Sequence, residues 1–301
     1  MAELELAGWT ETPDLDAVRE VLLAVKAADG RPEVEPTGPL PREFDGGLHL
    51  LARLGGHPAG YAHLDTAGDS YGRQVAELVV HPDFRRRGVG TALAKELEGK
   101  AADSARVWAH GDHPGAAALA KAFGVGRQRE LLVLHAAVDG ADWPEPVVRQ
   151  GIKLRTFVVG QDEDGVIAVN ARAFDWHPEQ GALTVGELRS EEAQPWFDPA
   201  GFFLAENAEG AVVGFHWTKI HEPVPGRFDG EPVGEVYVVG VDPDTQGGGL
   251  GKALTLAGLR HLRDRGLRRV ILYVEGDNAP ALAVYTKLGF TRFETDVQYG
   301  Q

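Results

Sequence analysis

The stretch Glu235-Val-Tyr-Val-Val-Gly-Val-Asp-Pro-Asp-Thr-Gln-Gly-Gly-Gly-Leu-Gly251 decides the fold. Its first seven residues are rich in β-branched side chains and read as a strand. Asp242-Pro243 turns the chain, and a helical pattern then runs to about Arg265. Three adjacent glycines tolerate positive φ and let the main chain come close to a ligand. The N-terminus of the following helix offers unpaired N–H groups in a dipole field that favours anions. The strand–loop–helix therefore reads either as a cradle for a pyrophosphate or as no more than a turn. Two commoner phosphate loops are excluded. The G-x-G-x-x-G spacing is absent, and Gly251-Lys252 is followed by Ala253 rather than Ser or Thr.

The unit occurs twice. Val75 to Val80 reads as a strand, His81-Pro82-Asp83 as its turn, and Arg85-Arg-Arg-Gly88-Val-Gly90 as the opening of a helix through about Leu97. Pro82 and Pro243, Gly88 and Gly249, and Gly90 and Gly251 each stand 161 residues apart. A hairpin precedes each unit. Leu48–Arg53 and Pro58–Leu64 are joined by Gly55-Gly56, and Phe202–Glu206 and Val212–Lys219 by a turn at Asn207–Gly210. Coincident spacings in the same order of elements argue for a tandem duplication rather than convergent glycine turns. An amphipathic helix is expected from Pro13 to Ala28, and a loop from Gly30 to Gly47. Trp143-Pro-Glu-Pro146 fits a linker. The expected organisation is a first domain over 1–139, a linker over 140–150 and a second domain over 151–301. The fold class is α/β (α+β), each domain a mixed central sheet flanked by helices.

Composition bounds the function. A chain of 301 residues with formal net charge −15 does not bind nucleic acid or an anionic membrane through bulk charge. Without cysteine there is no disulfide, thiolate catalysis or cysteine metal site. No H-E-x-x-H spacing appears, so His177, His216 and His221 read as structural and no metal is expected. There is no 18-residue apolar run, and the start Met-Ala-Glu-Leu-Glu has no basic signal region. A cytoplasmic monomer is expected.

Gln246-x-x-Gly249-x-Gly251 resembles the Q/R-x-x-G-x-G/A element of GNAT acetyltransferases, which holds the pyrophosphate of acetyl-CoA. Val-Asp-Pro243 before it, and Asn278-Ala-Pro-Ala-Leu-Ala-Val-Tyr285-x-x-Leu-Gly-Phe290 after it, agree with that family. The resemblance implies that Val239, Gly240, Val241, Gln246, Gly247, Gly248, Gly249, Leu250, Gly251, Lys252, Asn278 and Ala281 contact acetyl-CoA. It implies the same for Leu78, Val79, Val80, Arg86, Arg87, Gly88, Val89, Gly90 and Thr91 of the first copy. The run Arg85–Arg87 reads as phosphate ligands or as a solvated patch.

The copies differ. Aligned on the proline after the strand, Glu235 corresponds to Gln74; aligned on Gly289 and Gly124, Tyr285 corresponds to Ala120. The second half is therefore read as the catalyst and the first as a binding or structural copy. Glu235 is the candidate general base, directly or through water, and Tyr285 the candidate acid toward the CoA thiolate. Backbone N–H groups near Val239–Val241 are the candidate oxyanion donors. The competing readings are an edge-strand acid for Glu235 and a core aromatic for Tyr285.

Phe174-Asp-Trp-His-Pro-Glu-Gln-Gly181, Pro195-Trp-Phe-Asp-Pro199 and Gly214-Phe-His-Trp-Thr-Lys219 resemble the mycothiol synthases, tandem GNAT enzymes. That resemblance implies acetyl transfer from acetyl-CoA to the cysteinyl amine of a cysteinyl-glucosamine-inositol acceptor. It assigns acceptor contacts to Glu179, Lys219, Glu235 and Tyr273, and on a poorer match to Glu35. The family's arginine in the second cradle is replaced here by Gly247 and Gly248, which weakens phosphate contacts. Trp176, Trp196 and Trp217 read as core rather than as sugar platforms. Two alternatives remain: a GNAT enzyme for another amine, such as an aminoglycoside, a polyamine or a protein N-terminus, and an acyl-CoA-binding regulator without turnover.

Overall fold

The computed structural model describes residues 3–9, 14–32, 34–68, 72–176, 180–223 and 227–301. They form two compact units, one of Met1–Leu131 with Glu294–Gln301 and one of Leu132–Phe293.

The first unit contains β1 (Leu4–Trp9), α1 (Leu15–Asp29), β2 (Leu48–Leu54), β3 (His57–Asp65), β4 (Val75–Val80), α2 (Val89–Glu98), β5 (Arg106–Ala109) and α3 (Pro114–Ala122). It also takes the start of β6 (Gly126–Ala137) and most of β12 (Thr291–Gly300), giving the sheet order β1-β2-β3-β4-β5-β12-β6. Strands β1 to β4 are antiparallel neighbours, whereas β4 and β5 run parallel and pair only from Val75–Glu77 to Arg106–Trp108. Asp14 caps α1, its Oδ1 accepting the Ala17 N–H at 3.2 Å, and left-handed Gly30 ends it. The buried face of α1, with Val18, Val21 and Leu22, packs on Tyr61; each such side chain contributes about 1.5–3 kcal/mol. Thr12 and Pro13 lie outside the described residues.

The second unit holds the rest of β6, β7 (Lys153–Thr156), α4 (Glu163–Ala173), α5 (Val185–Glu192), β8 (Phe202–Glu206), β9 (Val212–His221), β10 (Val233–Val241), α6 (Leu250–Asp264), β11 (Arg269–Glu275) and α7 (Ala279–Lys287). Its order is β6-β11-β10-β9-β8-β7. Here too the central pair is parallel and short, Gly234–Val236 against Val270–Leu272. The repeat is visible in a detail. A Cβ on Gly60 of β3 would stand 2.8 Å from Val89, and one on Gly214 of β9 would stand 2.9 Å from Leu254. In both copies the helix after the cradle presses on the sheet where only glycine fits.

The expected boundaries need correcting. Residues 294–301 belong to the first unit, and 140–150 lie inside the second rather than between domains. Pairing and burial explain this. β5 takes β12 as its antiparallel neighbour (Val297 opposite Ala109), while Leu132, Leu134, Ala136 and Val138 join a core with Leu259, Leu272 and Phe290. Trp143 is buried in that core and its indole N–H donates to the Leu288 carbonyl at 3.0 Å. Among the described residues no helix is long and apolar enough to cross a membrane.

Candidate functional site

In the second unit, strand alternation puts chemistry on one face of the sheet. Even residues Val270, Leu272 and Val274 of β11, with Val236 of β10, enter the core under α6 and α7. Glu235 therefore points the other way, opposite Lys219 in the β9–β10 register, and Tyr273 shares its face. Glu235 is 5% exposed, and its Oε2 lies 2.5 Å from Nε2 of half-buried His221. Lys219 does not pair with it: the ammonium sits over the rings of Trp196 and Tyr237, 4.3 and 4.9 Å from their centroids. Trp217 stacks on Phe202 at 4.9 Å and meets Tyr237 edge-on at 5.2 Å, which fixes the floor of this face.

The β9–β10 register shifts between Val236 and Val238, and the parallel ladder to β11 ends at Val236. Val239–Val241 stay paired to β9 on one edge; their other edge lies where β10 and β11 part. The cradle follows. Gly247, Gly248 and Gly249 have φ of +91°, +59° and +79°, and no side chain caps α6. Space around Gly247 and Gly249 is open, so backbone conformation rather than crowding demands glycine there. Gln246 and Lys252 are exposed, whereas the Leu250 side chain is buried in the core. Arg149 is a neighbour that sequence spacing did not reveal: its Cδ is 3.7 Å from where a Cβ on Gly248 would be. Asn278 caps α7, its Oδ1 accepting the Ala281 N–H at 3.2 Å. Tyr285 of that helix is half-buried against the α6–α7 core, edge-on to Phe290 at 5.8 Å, and burial pushes its phenol up to about 12.

The first unit carries a half-open cavity of about 830 Å³. Leu78, Val79, Val80, Arg86, Gly88, Gly90 and Thr91 line it. Gly88 caps α2 in the left-handed conformation without a side-chain cap, and Arg86 holds φ of +62° where the second cradle has Gly247. Three expectations shift. Val89 is a core side chain, and Arg87 lies 5.6 Å over the Phe84 ring. Arg85 pairs with Asp29 and donates to the Val80 carbonyl at 3.1 Å, so it is no spare phosphate ligand. Gln74, which alignment on the proline matches to Glu235, accepts the Ala102 N–H at 2.8 Å, and the register shift in β10 leaves Val75 at the corresponding ladder position. Ala120, in the place of Tyr285, packs with Tyr299 of β12, whose buried hydroxyl lines the cavity without a partner among the described residues.

Ionic side chains line part of the same cavity, among them Arg31, Glu77, His110 and Glu294. His110 Nε2 is 3.1 Å from Glu77 and Nδ1 3.2 Å from Asp296; Arg31 reaches Glu294 at 3.5 Å and Asp296 at 3.7 Å. Burial pulls the imidazole down, but the charge of Glu77 and hydrogen bonds to Asp296 and Glu77 outweigh it and raise His110 to about 10.

Of the acceptor residues expected from sequence, Lys219, Glu235 and Tyr273 share one face. Glu179 lies outside the described residues. Glu35 belongs to the first unit, exposed and 3.5 Å from the Lys26 ammonium. Trp217 is core as expected, but Trp176 is 47% exposed. His216 is structural, fully buried with Nδ1 2.8 Å from the Leu254 carbonyl, and burial lowers it to about 4. His221 is the partner of Glu235. It alternates with Lys219 and Trp217 along β9, a signal the sequence carried.

A short parallel pair that parts beside an uncapped glycine cradle, built twice, is the architecture of one class of acyltransferase. The chain belongs to the acetyltransferase (GNAT) family, whose profile matches residues 18–125 and 170–290. Among solved structures it is similar to a GCN5-related N-acetyltransferase from Sphaerobacter thermophilus (TM-score 0.67, 24% identical, covering 98% of this chain and 94% of that one). It is also similar to a tandem GNAT protein from the clavulanic acid biosynthesis pathway (TM-score 0.65, 23% identical, 99% and 98% covered). These speak for the fold. Curated relatives are more particular. Mycothiol acetyltransferase of Amycolatopsis mediterranei is 69% identical, covering 97% of this chain and 98% of its own length. That of Saccharomonospora viridis is 65% identical over the same shares.

Proposed function

We propose that the chain moves acetyl from acetyl-CoA to the cysteinyl amine of 1D-myo-inositol 2-(L-cysteinylamino)-2-deoxy-glucopyranoside, giving mycothiol and CoA. The observation that carries this is the near-full-length likeness to mycothiol acetyltransferases, with Glu235 buried beside the parting strands. An α-amino group has a reference pKa of about 7.7–8.0, so the attacking neutral amine is plentiful near neutral pH. Glu235 accepts the amine proton, and N–H groups of Val239–Val241 bind the developing oxyanion. Lys219 and Tyr273 meet the acceptor's hydroxyls.

Tyr285 faces the leaving sulfur. A phenol at about 12 and a thiol near 8.5 differ by roughly 3.5 units, so full proton transfer is uphill by about 5 kcal/mol. Its main contribution is therefore the hydrogen bond to the forming thiolate, worth about 1.5–3 kcal/mol. The glycine cradle binds the CoA pyrophosphate through backbone N–H groups, and Arg149 supplies the side-chain cation that Gly247 and Gly248 lack. The first unit holds a second acetyl-CoA without turnover, supported by its cavity and by the engaged Gln74.

The test is product formation from acetyl-CoA with this acceptor against glucosamine, spermidine and a peptide N-terminus. It is followed by mass because the acceptor carries its own thiol. The cysteinyl acceptor should be preferred by orders of magnitude; equal rates with another amine would refute the assignment, and no CoA release with any amine would favour a non-catalytic acyl-CoA binder.

A further inference from the structure

The base proposed above is buried, and the proton it takes must leave at every turnover. Its carboxylate side chain is 6% exposed, and no water-filled route need be invoked, because Oε2 lies 2.5 Å from Nε2 of His221. The His221 side chain is 27% exposed and ends β9 beside the exposed Glu222 and Pro223. It therefore bridges a dry carboxylate and bulk solvent. Lys219, directly opposite Glu235 in the ladder, is turned to Trp196 and Tyr237 and leaves this place to the imidazole.

We propose that His221 is the positioning residue and proton exit of Glu235. The inference rests on Glu235 being the base. As the C–N bond forms and the C–S bond breaks, the amine proton passes to the Glu235 carboxylate. The Nδ1–H tautomer of His221 then accepts it at Nε2 and releases the Nδ1 proton to water, and exchange of the remaining ring hydrogen with solvent at the part-exposed imidazole returns that tautomer before the next turnover. The CoA thiolate, hydrogen-bonded by Tyr285 as it forms, takes its proton from solvent, so the cycle balances. Between turnovers the Nε2–H tautomer donates to Oε2 across the same 2.5 Å contact and fixes the carboxylate rotamer.

The full chain is assayed as wild type, His221→Ala, His221→Gln and Glu235→Gln, with circular dichroism and thermal melting to establish folding. His221→Ala should lose about 10- to 100-fold in kcat, with KM for acetyl-CoA within about twofold. Added imidazole should restore part of that rate in His221→Ala and none in Glu235→Gln. His221→Gln keeps a hydrogen-bond donor but cannot relay a proton, so it should stay slow. Wild-type kcat in a folded His221→Gln would overturn the proton exit, and wild-type kcat in His221→Ala would overturn the whole inference while Glu235→Gln remains inactive. A fully active Glu235→Gln would instead show that the reading of the base had failed.

Discussion

The two units carry the same cleft and fill it differently. In the second, the sheet face beyond the parting strands presents a carboxylate whose partner among the described residues is an imidazole, and a lysine is held on aromatic rings. In the first, the corresponding face is occupied by Glu77, His110, Asp296, Arg31 and Glu294, which pair with one another. A buried carboxylate with two charged partners is poorly placed to accept a substrate proton; one with a single, solvent-reaching partner is suited to it. The cradles differ in the opposite sense. The first has Arg86 and Arg87 in its loop, the second only glycines and a neighbouring Arg149. Duplication kept the backbone that grips an anion and let the groups that handle protons diverge.

The largest effect should come from the base. Glu235→Gln is expected to lower kcat by about 10²- to 10⁴-fold while leaving acetyl-CoA affinity measured by calorimetry unchanged. Gln74→Glu, matched to Glu235 by alignment on the proline, should not create turnover in that background, because Gln74 is committed to the Ala102 N–H. Next comes the phenol. Tyr285→Phe removes a charge-assisted hydrogen bond and should cost about 10- to 100-fold in kcat, with little change in KM for the acceptor. A loss in KM alone would mean that Tyr285 is only a wall of the site.

Arg149→Ala should raise KM for acetyl-CoA by about two- to fivefold, as expected for an exposed ion pair, and the difference should shrink as salt is added. A salt-independent effect would point to packing instead. The smallest effect concerns the ion cluster. His110 is raised above its ordinary value to about 10, so its stabilising contribution is complete below about pH 6.5 and is lost as pH climbs through about 10. The melting temperature of the parent should therefore exceed that of His110→Gln at pH 6, and the gap should close toward pH 10. A constant gap would refute the charged imidazole.

Much of this was legible in the chain because it is local. β4 runs over the residues the sequence suggested, both hairpins form around their turns, and the cradle glycines are left-handed as their spacing implied. What was hidden depends on tertiary pairing. Nothing around Thr291–Gly300 reveals that the strand lies beside β5, so Tyr299 and Glu294 could not be assigned to the first cavity from sequence. Trp143 sits among prolines that look like a linker, yet its large apolar surface is buried. Arg149 reaches Gly248 through a fold in the chain, not through spacing. His221 was recoverable, since period-two alternation from Lys219 places both on Glu235's face.

The most direct test uses matched double variants of the two cradles, Gly88→Val with Gly90→Val and Gly249→Val with Gly251→Val. Acetylated product and bound acetyl-CoA equivalents would be measured on the same folded preparations. Valine is strained at the positive φ of Gly88 and Gly249, so each pair should close one cradle. The account predicts that the first pair loses one bound equivalent and keeps its turnover, whereas the second loses turnover and keeps the other equivalent. Turnover abolished by the first pair and spared by the second would contradict it.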